Sequence, residues 1–76
     1  MKKEISPGIS VDPDVRFGKP VLSGTRVPVE TLVGKVASGM AAEEVAQAYG
    51  VTLAGVHAAL AYAAHLVEEE HVRAVG

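Results

Sequence analysis

All four prolines of this chain fall in its first 28 residues, at Pro7, Pro13, Pro20 and Pro28, and none follows. Proline removes a backbone donor and clashes with the preceding helical turn. Together with Gly8, Gly18 and Gly24, the prolines exclude a long helix from the first third of the chain. Past Pro28 the apolar residues recur at helical spacing. The expected architecture is therefore a single, mainly α domain over residues 1–76. A short β arm with turns occupies 1–27, a three-helix unit 28–70 and a tail 71–76.

Within the arm, Ile9-Ser10-Val11 alternates as a strand does. Asp12-Pro13-Asp14 reads as a turn, Val15-Arg16-Phe17 as a second short strand, and Gly18-Lys19-Pro20 as another turn leading into Val21-Leu22. Gly24 is expected at positive φ. The sum is a small hairpin or irregular arm rather than a full sheet.

Helix one should open at Pro28, which suits a first helical position because its missing N–H has no partner there. Val29, Leu32, Val33 and Val36 follow i, i+3, i+4, i+7 and form one stripe. Gly39 beyond Ser38 is a fitting C-cap. Helix two is expected over Ala42 to Tyr49, with Glu43 and Glu44 complementing the dipole and Val45, Ala48 and Tyr49 facing inward. Gly50 supplies a left-handed turn residue, and Thr52 is the natural N-cap of helix three. That helix runs from Leu53 to about Glu70. From Ala54 to Val67, 11 of 14 residues are apolar and six are Ala. Val56, Ala59, Leu60, Ala63 and Val67 make one stripe; Ala58, Tyr62 and Leu66 make a second beside it. A helix apolar on two faces is normally buried on both, so Ala58, Tyr62 and Leu66 are candidates for a dimer or partner face.

Residues 42 to 59 also have helix-turn-helix spacing. Val45, Ala46, Tyr49, Gly50, Val51 and Val56 stand where buried, small or turn-forming residues are needed. Such a motif sets its second helix in the major groove of DNA, usually among cations that neutralise phosphate. Yet no Lys or Arg lies between Lys35 and Arg73. Residues 1–35 carry six Lys/Arg and four Asp/Glu, a net +2, whereas 36–76 carry one Arg and five Glu, a net −4. Contacts with DNA or a protein would have to come from Lys2, Lys3, Arg16, Lys19, Arg26 and Lys35, with only Thr52 and His57 on helix three able to reach a base. The bland alternatives are a solvated terminus at Lys2-Lys3, a half-exposed helical His57, and Arg26 pairing locally with Asp12 or Asp14 and donating to turn carbonyls.

A chain of 76 residues buries only about 60% of its unfolded surface. It has no cysteine, so no disulfide or thiolate–metal site adds stability. Dimerisation is the remaining common remedy. His57, His65 and His71 are wrongly spaced for one helical metal site, and His65 with Glu69 gives only two ligands; no metal or cofactor is expected. The Gly18-Lys19 and Ser23-Gly24-Thr25 segments lack the order of a phosphate loop. No nucleophile–base–orienter set is present, so an enzyme is not expected. No apolar segment is long enough to span a bilayer and none reads as a secretory leader, so a cytoplasmic protein is expected.

The most specific string is Gly18-Lys19-Pro20-Val21-Leu22-Ser23-Gly24-Thr25-Arg26-Val27-Pro28-Val29. It resembles the signature of a small bacterial family, domain of unknown function 433. Asp12-Pro13, Gly39, Glu43-Glu44-Val45, Tyr49, Ala58-Ala59-Leu60 and Tyr62 are also similar, so the resemblance runs from about Ile5 to Leu66. It implies a β arm followed by a three-helix, homeodomain-like helix-turn-helix. It also implies an antitoxin-like role beside a PIN-like ribonuclease toxin; with the helix-turn-helix spacing it suggests promoter binding as a homodimer, which the missing cations make weak. The alternative is a protein-interaction or dimerisation module with no DNA-binding role. This chain departs from the family pattern in three places. Ala41-Ala42 replaces the usual Ser-Pro before helix two, removing a cap worth about 1 kcal/mol. Gly50 replaces a Pro, and Ala54-Gly55 replaces an acidic pair.

Overall fold

The computed structural model describes residues 1–70; the expected tail, with His71 and Arg73, lies outside the described residues. Three short strands precede three helices: β1 (Lys3–Ser6), β2 (Ile9–Val11), β3 (Val21–Leu22), α1 (Val29–Ala37), α2 (Ala42–Tyr49) and α3 (Leu53–Glu69).

The arm is more regular than its sequence suggests. The strands form one antiparallel sheet in the order β1-β2-β3. Lys3 pairs with Val11 and Glu4 with Ser10, then a bulge shifts the register so that Ser6 meets Ile9. Lys3 thus belongs to a strand and not to a free arm. Its charge, that of Glu4 and the bulge are devices that discourage pairing along an exposed sheet edge. Ile9 meets Leu22 and Ser10 meets Val21 on the other side of β2.

Val15-Arg16-Phe17 is not a strand. Val15 N–H donates to the Asp12 carbonyl at 2.9 Å and Gly18 N–H to the Val15 carbonyl at 3.1 Å. These bonds curl the chain into a left-handed turn, with φ of 51° at Arg16, 57° at Phe17 and 81° at Gly18. The reversal is what brings Val21 alongside β2. Positive φ at a residue with a Cβ costs roughly 1–2 kcal/mol, and here two such residues are consecutive.

The helices follow the expected periods closely. Pro28 stands one residue earlier than expected, at the N-cap of α1, where it also bridges to Val21. Gly39 takes φ 110° just past the end of α1. On α2, Ala46 is buried and Ala48 exposed, correcting the inward assignment of Ala48. The inner stripe is Ala42, Val45, Ala46 and Tyr49, a true i, i+3, i+4, i+7 set; Ala48 falls to one side of it. With no side-chain oxygen at Ala41, half of a capping box remains: Glu44 Oε1 accepts from Ala41 N–H at 3.0 Å. Gly50 closes α2 at φ 65°, and Thr52 Oγ1 accepts from Gly55 N–H at 2.9 Å to start α3. The chain bends by 114° between α2 and α3.

Ile9, Leu32, Val45, Val56 and Ala59 are fully buried and, with Leu22, Val29 and Ala46, form one core joining sheet and helices. The sheet reaches α3 at two small residues. A Cβ on Gly55 would lie 2.9 Å from Leu22 Cδ1, and one on Gly8 would lie 3.4 Å from the Ala58 Cβ. The sheet therefore covers the start of the second apolar face of α3, at Ala58, and not Tyr62 or Leu66. Cover fails toward the C-terminus, where every residue from Ala64 to Glu69 is exposed.

Three variants test these local assignments in thermal melts. Gly55→Val is expected to lower stability by about 1–3 kcal/mol, because the branched side chain overpacks against Leu22. Gly55→Ala should stay within about 1 kcal/mol of wild type, since its gain in helix propensity offsets the closer contact. Phe17→Asn, in dilute protein, is expected to raise stability by about 1 kcal/mol, because Asn visits the left-handed region readily and Phe17 is 99% exposed.

Candidate functional site

The segment from Gly18 to Val29 packs an unusual number of bonds into a few residues. Leu22 N–H donates to the Val27 carbonyl at 3.0 Å, and Val29 N–H to the Pro20 carbonyl at 3.0 Å. Thr25 Oγ1 donates to the Leu22 carbonyl at 2.8 Å and accepts from Val27 N–H at 3.1 Å. Gly24, at φ 79°, makes the reversal between them. The Ser23 hydroxyl meets that of buried Ser10 at 2.5 Å, and Ser23 N–H bonds the Gly8 carbonyl at 2.9 Å. Lys19 Nζ donates to Glu30 Oε1 at 2.6 Å, tying the loop to α1. The string that looked like a cationic grip is in large part a loop that locks β3 to the first helix.

Arg26 is the exception. Among the described residues its guanidinium has no hydrogen-bond or ion-pair partner, and neither Asp12 nor Asp14 pairs with it. Its carbonyl instead accepts from Arg16 Nε at 3.1 Å. The donation to a turn carbonyl expected of Arg26 thus falls to Arg16. Asp12 is engaged elsewhere: its Oδ1 accepts from Asp14 N–H at 2.9 Å and lies 3.6 Å from the chain-terminal ammonium. The Asp14 amide is the main cause that holds the Asp12 carboxyl below its ordinary value. Burial opposes it, and the ammonium and Lys2 reinforce it.

Arg26 borders two concave surfaces. One, of about 270 Å³, is also lined by Lys2, Ser10, Asp12, Val15, Val21, Gly24 and Thr25. The other, of about 370 Å³, lies among Pro13, Asp14, Arg16 and Phe17. The fold brings Lys2, Arg16 and Arg26 together at this end of the sheet. It leaves Lys35 apart on α1, exposed.

Helix three offers a different surface. Ala54, His57, Ala61, Ala64, His65 and Glu68 form its solvent stripe, all exposed. Thr52 is spent on the cap. His65 Nε2 lies 3.0 Å from Glu69 Oε1, an i, i+4 contact, and no cluster of three metal-ligating side chains occurs among the described residues. No single described helix is long and apolar enough to cross a membrane. Of the three residues expected at a dimer or partner face, Ala58 is half-buried under the sheet. Tyr62 and Leu66 line a separate apolar groove with Pro20, Val29, Val33 and Ala63. Phe17 is bare at the surface, and the sequence carries no signal of it, because a lone aromatic beside a strand-like dipeptide does not announce exposure.

No curated protein matches the sequence. Among solved structures, the chain is similar to the X-ray crystal structure of Rv2018 from Mycobacterium tuberculosis, with 35% identity and a TM-score of 0.63. That match covers 68% of this chain and 24% of the other, so the present chain spans about a quarter of that protein's length. The profile of a family described as "Protein of unknown function (DUF433)" matches residues 9–63, from β2 into the middle of α3 and across the whole Gly18–Val29 loop. The chain belongs to the DUF433 family.

Proposed function

We propose that the chain is an antitoxin-like interaction module. In this reading α1–α3 form a homeodomain-like helix-turn-helix that acts mainly as a scaffold, and the β arm holds the partner. The 114° bend between α2 and α3 and the three-residue Gly50–Thr52 turn support the helix-turn-helix reading, since such motifs join helices at roughly 90–120°. The partner expected from the family resemblance is a PIN-like ribonuclease toxin. One observation carries the reading: within the Gly18–Val29 loop, every polar side chain but that of Arg26 is bonded within the fold. An exposed arginine whose neighbours are all fixed is a prepared donor fork, suited to bidentate recognition of carboxylates or phosphates.

Promoter binding is a lesser part of the proposal. The solvent stripe of α3 presents alanines and His57 and no cation, so phosphate neutralisation falls to Lys2, Lys3, Lys35 and Arg26. The second reading, an interaction module with no DNA role, is favoured by that same stripe.

Co-expression with whatever protein is encoded beside this chain tests the first part. A stable complex is expected, and Arg26→Ala should weaken it at least tenfold, as buried interface arginines commonly do. The melting temperature of the isolated variant should stay unchanged. If Arg26→Ala instead unfolds the arm, the residue is structural and the reading fails. For DNA, binding by the isolated protein to its own promoter should be weak and fall steeply between roughly 50 and 200 mM salt. Tight, salt-insensitive binding would restore α3 as a DNA reader.

A further inference from the structure

The one aromatic residue of the arm and its two unspent guanidiniums stand together. Pro13, Asp14, Arg16, Phe17 and Arg26 line a single concavity of about 370 Å³. Phe17 is 99% exposed and holds a left-handed φ of 57°. A bare phenyl ring on a costly backbone conformation adds no packing to the core. Strain of this kind concentrates at sites of function.

The charges at the same place are free for use. Arg16 Nε donates to the Arg26 carbonyl at 3.1 Å. That bond holds the Arg16 guanidinium against the loop. It leaves the two terminal nitrogens without a partner among the described residues, as Arg26 leaves all of its own. Asp14 is the one carboxylate on the wall, and it pairs with neither arginine. Two guanidiniums against one carboxylate leave the concavity cationic. The donor of Arg16 is held in place before any partner arrives, which lowers the entropic cost of binding.

The mixture selects the class of partner. An exposed aromatic among arginines has the composition of a protein-interface centre. Nucleic acid fits it less well. A single strand is held by successive aromatics along a cationic track, and the first 27 residues contain only Phe17. A phosphate backbone laid here would also meet Asp14, and Asp12 in the adjoining concavity. A guanidinium fork matches a carboxylate with two parallel bonds.

We infer that the turn at residues 13–17 and Arg26 form one docking site for a protein segment that carries an apolar side chain beside a carboxylate. The apolar side chain lies on Phe17 and Pro13, and the carboxylate is taken by Arg26 with Arg16. The inference rests on the reading that the arm holds a protein partner, and it names what that partner presents. It makes Phe17 an anchor of the contact, which residue type and charge alone did not suggest.

Titration calorimetry with the purified protein encoded beside this chain tests the site on the full chain. Phe17→Asn suits the left-handed turn and should not lower the melting temperature, yet it is expected to weaken the complex at least about tenfold. Phe17→Tyr keeps the ring and should keep wild-type affinity. Arg26→Lys keeps the charge without the fork and should bind as poorly as Arg26→Ala. A complex that forms and is indifferent to Phe17→Asn overturns this inference while the arm reading stands. So does an Arg26→Lys chain that binds like wild type. If the wild-type chain forms no complex, the arm reading fails and this inference fails with it. A single-stranded oligoribonucleotide whose binding is lost in Phe17→Asn, with the protein complex unaffected, would give the site to nucleic acid instead.

Discussion

The contact between the sheet and the first two turns of helix three is the constraint on which the rest of the fold depends. Neither part can stand alone. A three-stranded sheet with strands of two to four residues has too little surface to be stable without a helix packed on it. Three helices in so short a chain leave one apolar face of the longest uncovered. Gly55 and Ala58 let the two parts meet, because a small residue at each point allows Leu22 and the Gly8 turn to approach the helix axis. Val56 and Ala59, one residue further round, then complete the core with Leu32, Val45 and Ile9.

That contact also sets what helix three is able to do. Its first turns face α1 and α2 on one side and the sheet on a second; the solvent stripe is alanine and histidine with Glu68, and Leu66 and Val67 are exposed beyond the cover. The absence of Lys and Arg from Val36 to Val72 suits a helix whose main task is burial. Charged groups gather where the backbone is already fixed by hydrogen bonds, in the turn at Arg16 and the loop at Arg26. A rigid loop holds a guanidinium in place at little further entropic cost, which is the usual advantage of preorganisation in binding.

The helical part was legible in the sequence because its signals are local. Gly50, Thr52 and the stripe of α1 act within a turn or two of themselves, and each stands where its spacing places it; on α3, Val56, Ala59, Leu60 and Ala63 do so, but Val67, expected on the same stripe, is exposed. The arm was less legible because its order is non-local. Lys3–Ser6 has one large apolar residue and no clear alternation, and becomes a strand only because Ile9–Val11 pairs with it. Arg16 and Phe17 bear no mark of a left-handed turn, which Gly or Asn would have announced. Ala48 and Ala46 differ in burial although they are the same residue type, and only their place relative to the Ala42, Val45 and Tyr49 stripe separates them. At the candidate site, the sequence marked Arg16, Lys19 and Arg26 alike; the bonds that tie down the first two could not be read from residue type.

The central claim is that the arm makes the contacts and helix three supports it. Amide chemical-shift changes in isotopically labelled protein, followed as its own promoter duplex is added at low salt, test this most directly. The account predicts shifts concentrated at Lys2, Lys3 and the Gly24–Val27 segment, with little change along Thr52 to Ala61. The largest shifts at Thr52, His57 and Ala61 would contradict it and put the contacts on helix three.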